Sequence, residues 1–292
     1  MKYDMPLFRP PSEAFSLILQ VTLGCSHNAC TFCGMYKMKK FRVREWTEID
    51  RDISEAAAFS EGVERIFLAD GNALAMETEM LETLLERLYR SFPDLKRVSS
   101  YAGPGDLLGR PLEELKRIRK SGLQLLYLGV ESGSAHILKE VNKGVSPDEM
   151  VEAGRRAKEA GFELSVTVLT GLGGKSKSLE NAVDTAAVLN RMQPDYIGAL
   201  TLTPTPNTLL YKKMKKGEFQ LLDPLENLQE LKWLVEKLEM NGSCLFRCNH
   251  ASNYLPLRGS LPQDREKLAG LLADVVENPH RYKLKPESMR GL

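Results

Sequence analysis

Three of the five cysteines in this 292-residue chain fall within nine positions, in the stretch Val21-Thr-Leu-Gly-Cys25-Ser-His-Asn-Ala-Cys30-Thr-Phe-Cys33-Gly-Met-Tyr36. Three thiolates on one short loop can grip an iron–sulfur cube, whose preferred ligands are cysteines, but cannot complete its four-ligand shell. One iron is then left open to an exogenous molecule, and an open position separates a catalytic metal site from a structural one. The same residues admit two other readings. One is a zinc clip that takes its fourth ligand from His27 or from a distant residue; the other is Cys30 and Cys33 as a dithiol pair. Further on, Cys244, Cys248 and His250 are one ligand short of a closed metal site and read more readily as packed small side chains.

The cysteine loop follows the apolar run Ser16–Thr22, which reads as a strand. The loop therefore belongs at a strand's carboxyl end, where α/β folds place their chemistry. Further strands are expected over Arg65–Asp70, Arg97–Ala102, Leu125–Glu131, Glu163–Thr170 and Asp195–Thr203. Amphipathic helices are expected between them, over Glu45–Ser60, Glu77–Ser91, Pro111–Ser121, Pro147–Ala160 and Ser178–Met192. In the second of these, Met80, Leu81, Leu84, Leu85 and Leu88 recur at helical spacing. Six such units in succession predict an α/β fold with a parallel sheet and right-handed crossovers.

After the rigid turn Thr203–Thr208 the pattern changes. A helix over Pro224–Met240 is expected to close a first domain, residues 1–240. Residues 241–292 then form a short C-terminal cap, with a polar loop over Cys244–Tyr254, a helix over Pro262–Glu277 and a loose basic tail. Net charge is +1, with 42% hydrophobic and 27% charged residues, so nothing marks a dedicated polyanion binder. No apolar run is long enough to span a membrane, and the amino terminus lacks a signal-peptide layout. An odd number of bunched cysteines argues against a disulfide framework and for a reducing, cytoplasmic setting.

The pattern Cys30-Thr-Phe32-Cys33, preceded by Cys25, resembles the radical S-adenosylmethionine superfamily, whose motif ends in Cys-x-aromatic-Cys. Four residues separate the first two cysteines here, where three are commonest in that family. The resemblance implies a partial (β/α)6 TIM-type barrel. It also implies a [4Fe-4S] cluster on Cys25, Cys30 and Cys33, and S-adenosyl-L-methionine as co-substrate, cleaved to a 5′-deoxyadenosyl radical that abstracts hydrogen. Phe32 and Tyr36 would lie near the adenine. Asp70, Gly71 and Asn72, at the end of the second strand, match in part the family's turn for the methionine amino group. Glu131 and Ser132, at the end of the fourth strand, correspond to a ribose-binding position, and Val141-Asn142-Lys143-Gly144 to a following step that brings Lys143 toward the cofactor carboxylate.

These strand ends resemble the coproporphyrinogen-oxidase, methylthiotransferase and Elongator-type group. So do the glycine run after Thr170 and the loop Pro204–Thr208; Thr167 lies on the strand leading to the glycine run. The 24 residues before Cys25 leave no room for a cobalamin domain, which implies a minimal barrel. In the C-terminal loop Arg247 is the expected substrate ligand and Cys248 a candidate hydrogen donor. The resemblance implies a reductant such as flavodoxin or ferredoxin. A small-molecule substrate is expected, ahead of peptide or RNA, and no membrane partner.

Overall fold

The apolar runs form strands and the amphipathic runs between them form helices, in a computed structural model that describes residues 1–291. The chain divides into two compact units. The first comprises residues 1–28, 35–128 and 156–164; the second comprises residues 29–34, 129–155 and 165 onward.

In the first unit the expected opening strand is interrupted at Val21. β1 (Leu17–Gln20) ends there, and β2 (Thr22–Leu23) pairs antiparallel with β3 (Arg42–Val43). α1 (Trp46–Phe59) starts at a capping box between Glu45 and Glu48, which satisfies two amide donors at the helix end. β4 (Arg65–Ala69) runs parallel to β1, and α2 (Thr78–Ser91) follows. β5 (Arg97–Ala102), α3 (Pro104–Gly109) and α4 (Leu112–Lys120) come next. β6 (Leu123–Glu131) then pairs in parallel with β5. α2 buries Leu81, Leu84, Leu85 and Leu88 along one stripe. At about 1.5–3 kcal/mol for each fully buried side chain, this stripe stabilises the helix far more than propensity does.

The last three residues of β6 lead into the second unit. α5 (Ala135–Glu140) is capped by Ser134, whose hydroxyl accepts from the Ile137 amide. α6 (Pro147–Glu159), β7 (Glu163–Thr170), α7 (Ser178–Met192), β8 (Tyr196–Thr201), α8 (Leu209–Lys215) and α9 (Pro224–Glu236) continue the alternation. β7 and β8 are parallel, with Val166 opposite Ile197.

The C-terminal segment departs from expectation. Cys244–Cys248 is not a loop but β9, parallel to β8, with Phe246 opposite Ile197. β10 (Leu257–Leu261) adds antiparallel to it, and α10 (Arg265–Glu277) follows. Cys244, Phe246 and Cys248 are buried in alternation with Leu245 and Arg247, which is the period-two pattern of a half-buried strand. The sheet therefore runs past six strands, and the expected boundary at residue 240 falls inside one compact unit. The tail is not loose. Arg290 donates to the carbonyl oxygens of Ser252 (2.6 Å) and Leu202 (2.9 Å) and lies over the Tyr254 ring at 4.4 Å. Among the described residues no helix is long and apolar enough to cross a membrane.

Candidate functional site

Cys25 belongs to the first unit, where the end of β4 fixes the backbone leading to it. The Gly24 amide donates to Asp70 Oδ2 (3.1 Å), and the Lys39 ammonium meets the same oxygen at 2.9 Å. Asp70 is fully buried, and its other oxygen makes no hydrogen bond. A Cβ added to Gly71 would come within 2.2 Å of the Gly24 carbonyl oxygen and 2.5 Å of Cys25 Cα. Only glycine allows this turn to lie against the cysteine backbone.

Asn72, expected among the cofactor contacts, spends its side chain on the loop. Its Oδ1 accepts from the Ser26 amide (3.3 Å), and its Nδ2 donates to Ser26 Oγ (2.9 Å) and to the Asp106 carboxylate. Burial raises the pKa of that carboxyl, against the lowering effect of the bond from Asn72. Tyr36 is buried beside Phe8, with ring centroids 5.6 Å apart at 90°. It leaves little face for an adenine. Burial, with the Asp70 charge behind it, holds its phenol protonated far beyond the ordinary range.

Cys30 and Cys33 belong to the second unit. The residue after Cys30 is pinned from both sides: the Thr31 amide donates to the Val141 carbonyl (2.8 Å), and the Thr31 carbonyl accepts from the Leu210 amide (3.0 Å). Phe32 packs against the cluster of Ile137, Val141, Leu172, Leu202 and Leu210. Asn207 donates to the Gly34 carbonyl (2.8 Å), and a Cβ on Gly34 would sit 2.3 Å from both Asn207 Oδ1 and Thr205 Oγ1. The Pro204–Thr208 loop thus lies directly on the residue after Cys33.

Glu131 ends β6 with φ +66°, a left-handed backbone that is strained for a residue with a side chain. Its carboxylate pairs with the Lys143 ammonium at 3.2 Å. Burial works against the charge on Lys143, but the Glu131 carboxylate and the Cys30 and Cys33 sulfurs outweigh it, so the pKa is raised. Ser132 is buried and donates to Asn181 Oδ1 (2.6 Å), so it holds α7 and has no surface for a cofactor. Thr167 alternates with the buried Val166 and Val168, on the face it shares with Leu169. Leu169 packs on the same cluster as Phe32, so Thr167 faces the side that carries the cysteine loop.

Arg247 and Cys248 are not brought to one face. As neighbours on β9 they point to opposite faces. Arg247 is exposed and level with Gly198 in the middle of β8, while Cys248 is buried with its thiol pushed up to about 12 by burial.

One buried carboxylate next to the site escaped the sequence reading. Glu230 is buried and accepts from the Gly171 amide (2.8 Å), Asn181 Nδ2 (2.7 Å) and the Ser178 hydroxyl. Burial lifts its pKa to about 7 against these bonds. Through Asn181 it joins the β7–α7 turn to Ser132, next to Glu131. The signal was present, since Glu230 stands on the same helix stripe as the buried Asn227, Leu231 and Leu234.

The three thiols are donors of the kind an iron–sulfur cube takes. Cys25, Cys30 and Cys33 are partly exposed and outside any disulfide, and Asp70 keeps a spare acceptor oxygen suited to an ammonium group. Among the described residues no three His, Cys, Asp or Glu side chains converge closely enough to hold a single metal ion.

Comparison with known proteins agrees. The heme chaperone HemW of Bacillus subtilis is 26% identical over 182 residues, covering 61% of this chain and 46% of that protein. An anaerobic magnesium-protoporphyrin IX monomethyl ester cyclase of Cereibacter sphaeroides is 28% identical over 193 residues, covering 66% of this chain and 31% of the relative. The chain thus spans about half or less of the length of these relatives. The solved structure of coproporphyrinogen III oxidase from Escherichia coli, a radical SAM enzyme, superimposes with a TM-score of 0.57. It does so at 19% identity over 74% of this chain and 50% of that one. This likeness shows the fold, an α/β partial barrel of TIM type. The sequence profile of the Radical SAM superfamily matches residues 19–186, more than half of the chain, and the chain therefore belongs to that superfamily.

Proposed function

We propose that this chain is a radical S-adenosylmethionine enzyme in which Cys25, Cys30 and Cys33 hold the [4Fe-4S] cluster. The cofactors of the superfamily are that cluster and S-adenosyl-L-methionine. When bound, they supply a one-electron reductive cleavage that yields methionine and a 5′-deoxyadenosyl radical able to abstract hydrogen from a substrate. The observation that carries the assignment is the double anchoring of Thr31, between Cys30 and Cys33, beside the Glu131–Lys143 pair. It supports a rigid thiolate loop with a cation at hand to offset its charge.

The chain's own residues do the positioning. Gly71 lets the end of β4 lie against Cys25, and Asp70 offers an acceptor to the amino group of the cofactor. Glu131 accepts from ribose hydroxyls, and Lys143 neutralises carboxylate charge nearby. Thr167 adds a hydroxyl on the same face, and Phe32 an apolar surface for the adenine. Near-neutral net charge favours a small-molecule substrate over RNA, and three bunched, partly exposed free thiols suit a reducing, cytoplasmic setting.

Anaerobic reconstitution tests this reading. The protein should take up about four irons with matching sulfide, release 5′-deoxyadenosine under reduction, and lose both properties in Cys30→Ala. Stoichiometric zinc without sulfide in protein purified anaerobically would refute it.

A further inference from the structure

Just beyond the carboxyl end of β9, one imidazole is held in a single protonation state. The Ser252 amide donates to His250 Nδ1 (3.1 Å), and the Ser252 hydroxyl meets the same nitrogen at 2.9 Å. A ring nitrogen that accepts from an amide carries no proton, so the neutral ring is protonated on Nε2. Burial, with the Lys285 charge behind it, lowers the pKa of His250 and keeps the ring neutral at pH 7. His250 is half-buried, and among the described residues its Nε2 meets no hydrogen-bond partner. The support behind it is rigid. Ser252 is fully buried and its hydroxyl accepts from the Thr201 amide (3.3 Å) at the end of β8, while the buried Asn253 donates to the Ala199 carbonyl (2.9 Å). Such backing fixes the direction of a donor before any ligand arrives.

A second donor stands beside it. The Lys285 amide donates to the Tyr254 carbonyl (2.8 Å), and its ammonium donates to the carbonyl of Ala251, the residue after His250, at 2.9 Å. An ammonium has three donors, so two remain. Glu287, two residues on, is engaged by Arg290 (2.6 and 2.8 Å) and the Tyr254 hydroxyl (2.7 Å). The same segment is tied toward the cysteine loop. Arg290 donates to the Ser252 and Leu202 carbonyls and to Thr203 Oγ1 (3.0 Å). Four residues after Thr203, Asn207 donates to the carbonyl of Gly34, next to Cys33. At up to about 3.6 Å per residue, Thr203 lies within roughly 14 Å of Asn207.

We propose that His250 and Lys285 form a binding site for a carboxylate, and that the carboxylate it holds belongs to the substrate. One neutral donor and one cationic donor match the two oxygens of a singly charged carboxylate. A phosphate dianion calls for a second cation or a guanidinium fork, and the fork of Arg290 is spent on backbone carbonyls and Glu287. The site stands on its own geometry; its assignment to the substrate rests on the function proposed above.

Nuclear magnetic resonance of the full chain, with isotope-labelled histidine, tests this while propionate is added and, in a parallel titration, inorganic phosphate. His250 should give the signal of a neutral ring protonated on Nε2, and that nitrogen should shift saturably with propionate. Lys285→Met should weaken propionate binding about 10- to 100-fold, as expected for loss of a charge-assisted hydrogen bond. His250→Asn keeps an acceptor for the Ser252 amide and loses the Nε2 donor. Followed through the Ser252 amide signal, it should weaken binding by a similar factor at an unchanged melting temperature; should it misfold, Lys285→Met alone decides. A ring protonated on Nδ1, the lack of a saturable shift, a response to phosphate alone, or wild-type affinity in both variants would overturn the site. In the cluster-loaded chain, reduction makes the cluster paramagnetic and should speed the relaxation of bound propionate. Relaxation indifferent to reduction would overturn the assignment to the substrate. A chain that binds propionate but takes up no iron would support the site and defeat the radical reading instead.

Discussion

At the residue scale, the pair Glu131 and Lys143 concentrates the chemistry outside the cysteines. A left-handed backbone at a non-glycine strand end costs about 1–3 kcal/mol and persists only where its surroundings impose it. Here the cost is met where a carboxylate is turned toward Lys143 and the Cys30–Cys33 loop. Glu131→Gln keeps the shape and removes the charge. A charge-assisted hydrogen bond is worth roughly 1.5–3 kcal/mol, so S-adenosylmethionine should bind about 10- to 150-fold more weakly to the variant. Its iron content should stay that of wild type. Equilibrium dialysis under anaerobic conditions measures both, and equal affinity would mean that Glu131 serves only Lys143.

At the element scale, Glu230 ties α9 to the β7–α7 turn and, through Asn181, to the end of β6. Its three partners are neutral donors, so its charge is held in a buried site without a cation. Its folded pKa, about 7, is raised above the ordinary glutamate value. Below the unfolded value both states carry the proton and stability is unaffected. As pH rises from there to about 7, the unfolded chain gives up the proton first, and the folded state is progressively destabilised. The loss levels off above the folded pKa, at up to about 3 kcal/mol. Glu230→Gln removes this titration. Its melting temperature relative to wild type should therefore rise between pH 5 and pH 8, as scanning calorimetry would record. A difference that stays constant across that range would show that Glu230 is not the titrating group.

On the scale of the whole molecule, Lys285, Glu287 and above all Arg290 close the tail onto the rest of the second unit. Arg290 is 5% exposed and joins the Leu202 carbonyl just beyond β8, Ser252, the Tyr254 hydroxyl (2.7 Å) and Glu287. Removing it strands buried acceptors, each costing roughly 1–3 kcal/mol. Arg290→Ala should leave the barrel folded but open residues 282–291 to limited proteolysis and rapid amide exchange. Protection equal to wild type would show that Lys285, whose amide donates to the Tyr254 carbonyl at 2.8 Å, and Glu287, which accepts from the Tyr254 hydroxyl, hold the tail without it.

Local pattern was enough for much of this protein. Hydrophobic period and capping residues placed Arg97–Ala102, Glu163–Thr170 and Ser178–Met192 at their observed bounds, because helix and strand periodicity is written residue by residue. The cysteine spacing and the aromatic beside Cys33 identified the superfamily, because that motif is written in residues close together in the chain. Long-range partners were not legible. Cys244–Cys248 alternates like a strand, yet its polar continuation through Asn249 and Ser252 disguised it, and only pairing with β8 made it part of the sheet. Thr167 could face either side until Leu169 was seen on the Phe32 cluster. Asn72, Ser132 and Arg247 carry the right groups for ligand contacts. Their roles were set by neighbours 46, 49 and more than 40 positions away, because a hydrogen-bonding side chain serves whichever partner the packed fold brings within reach.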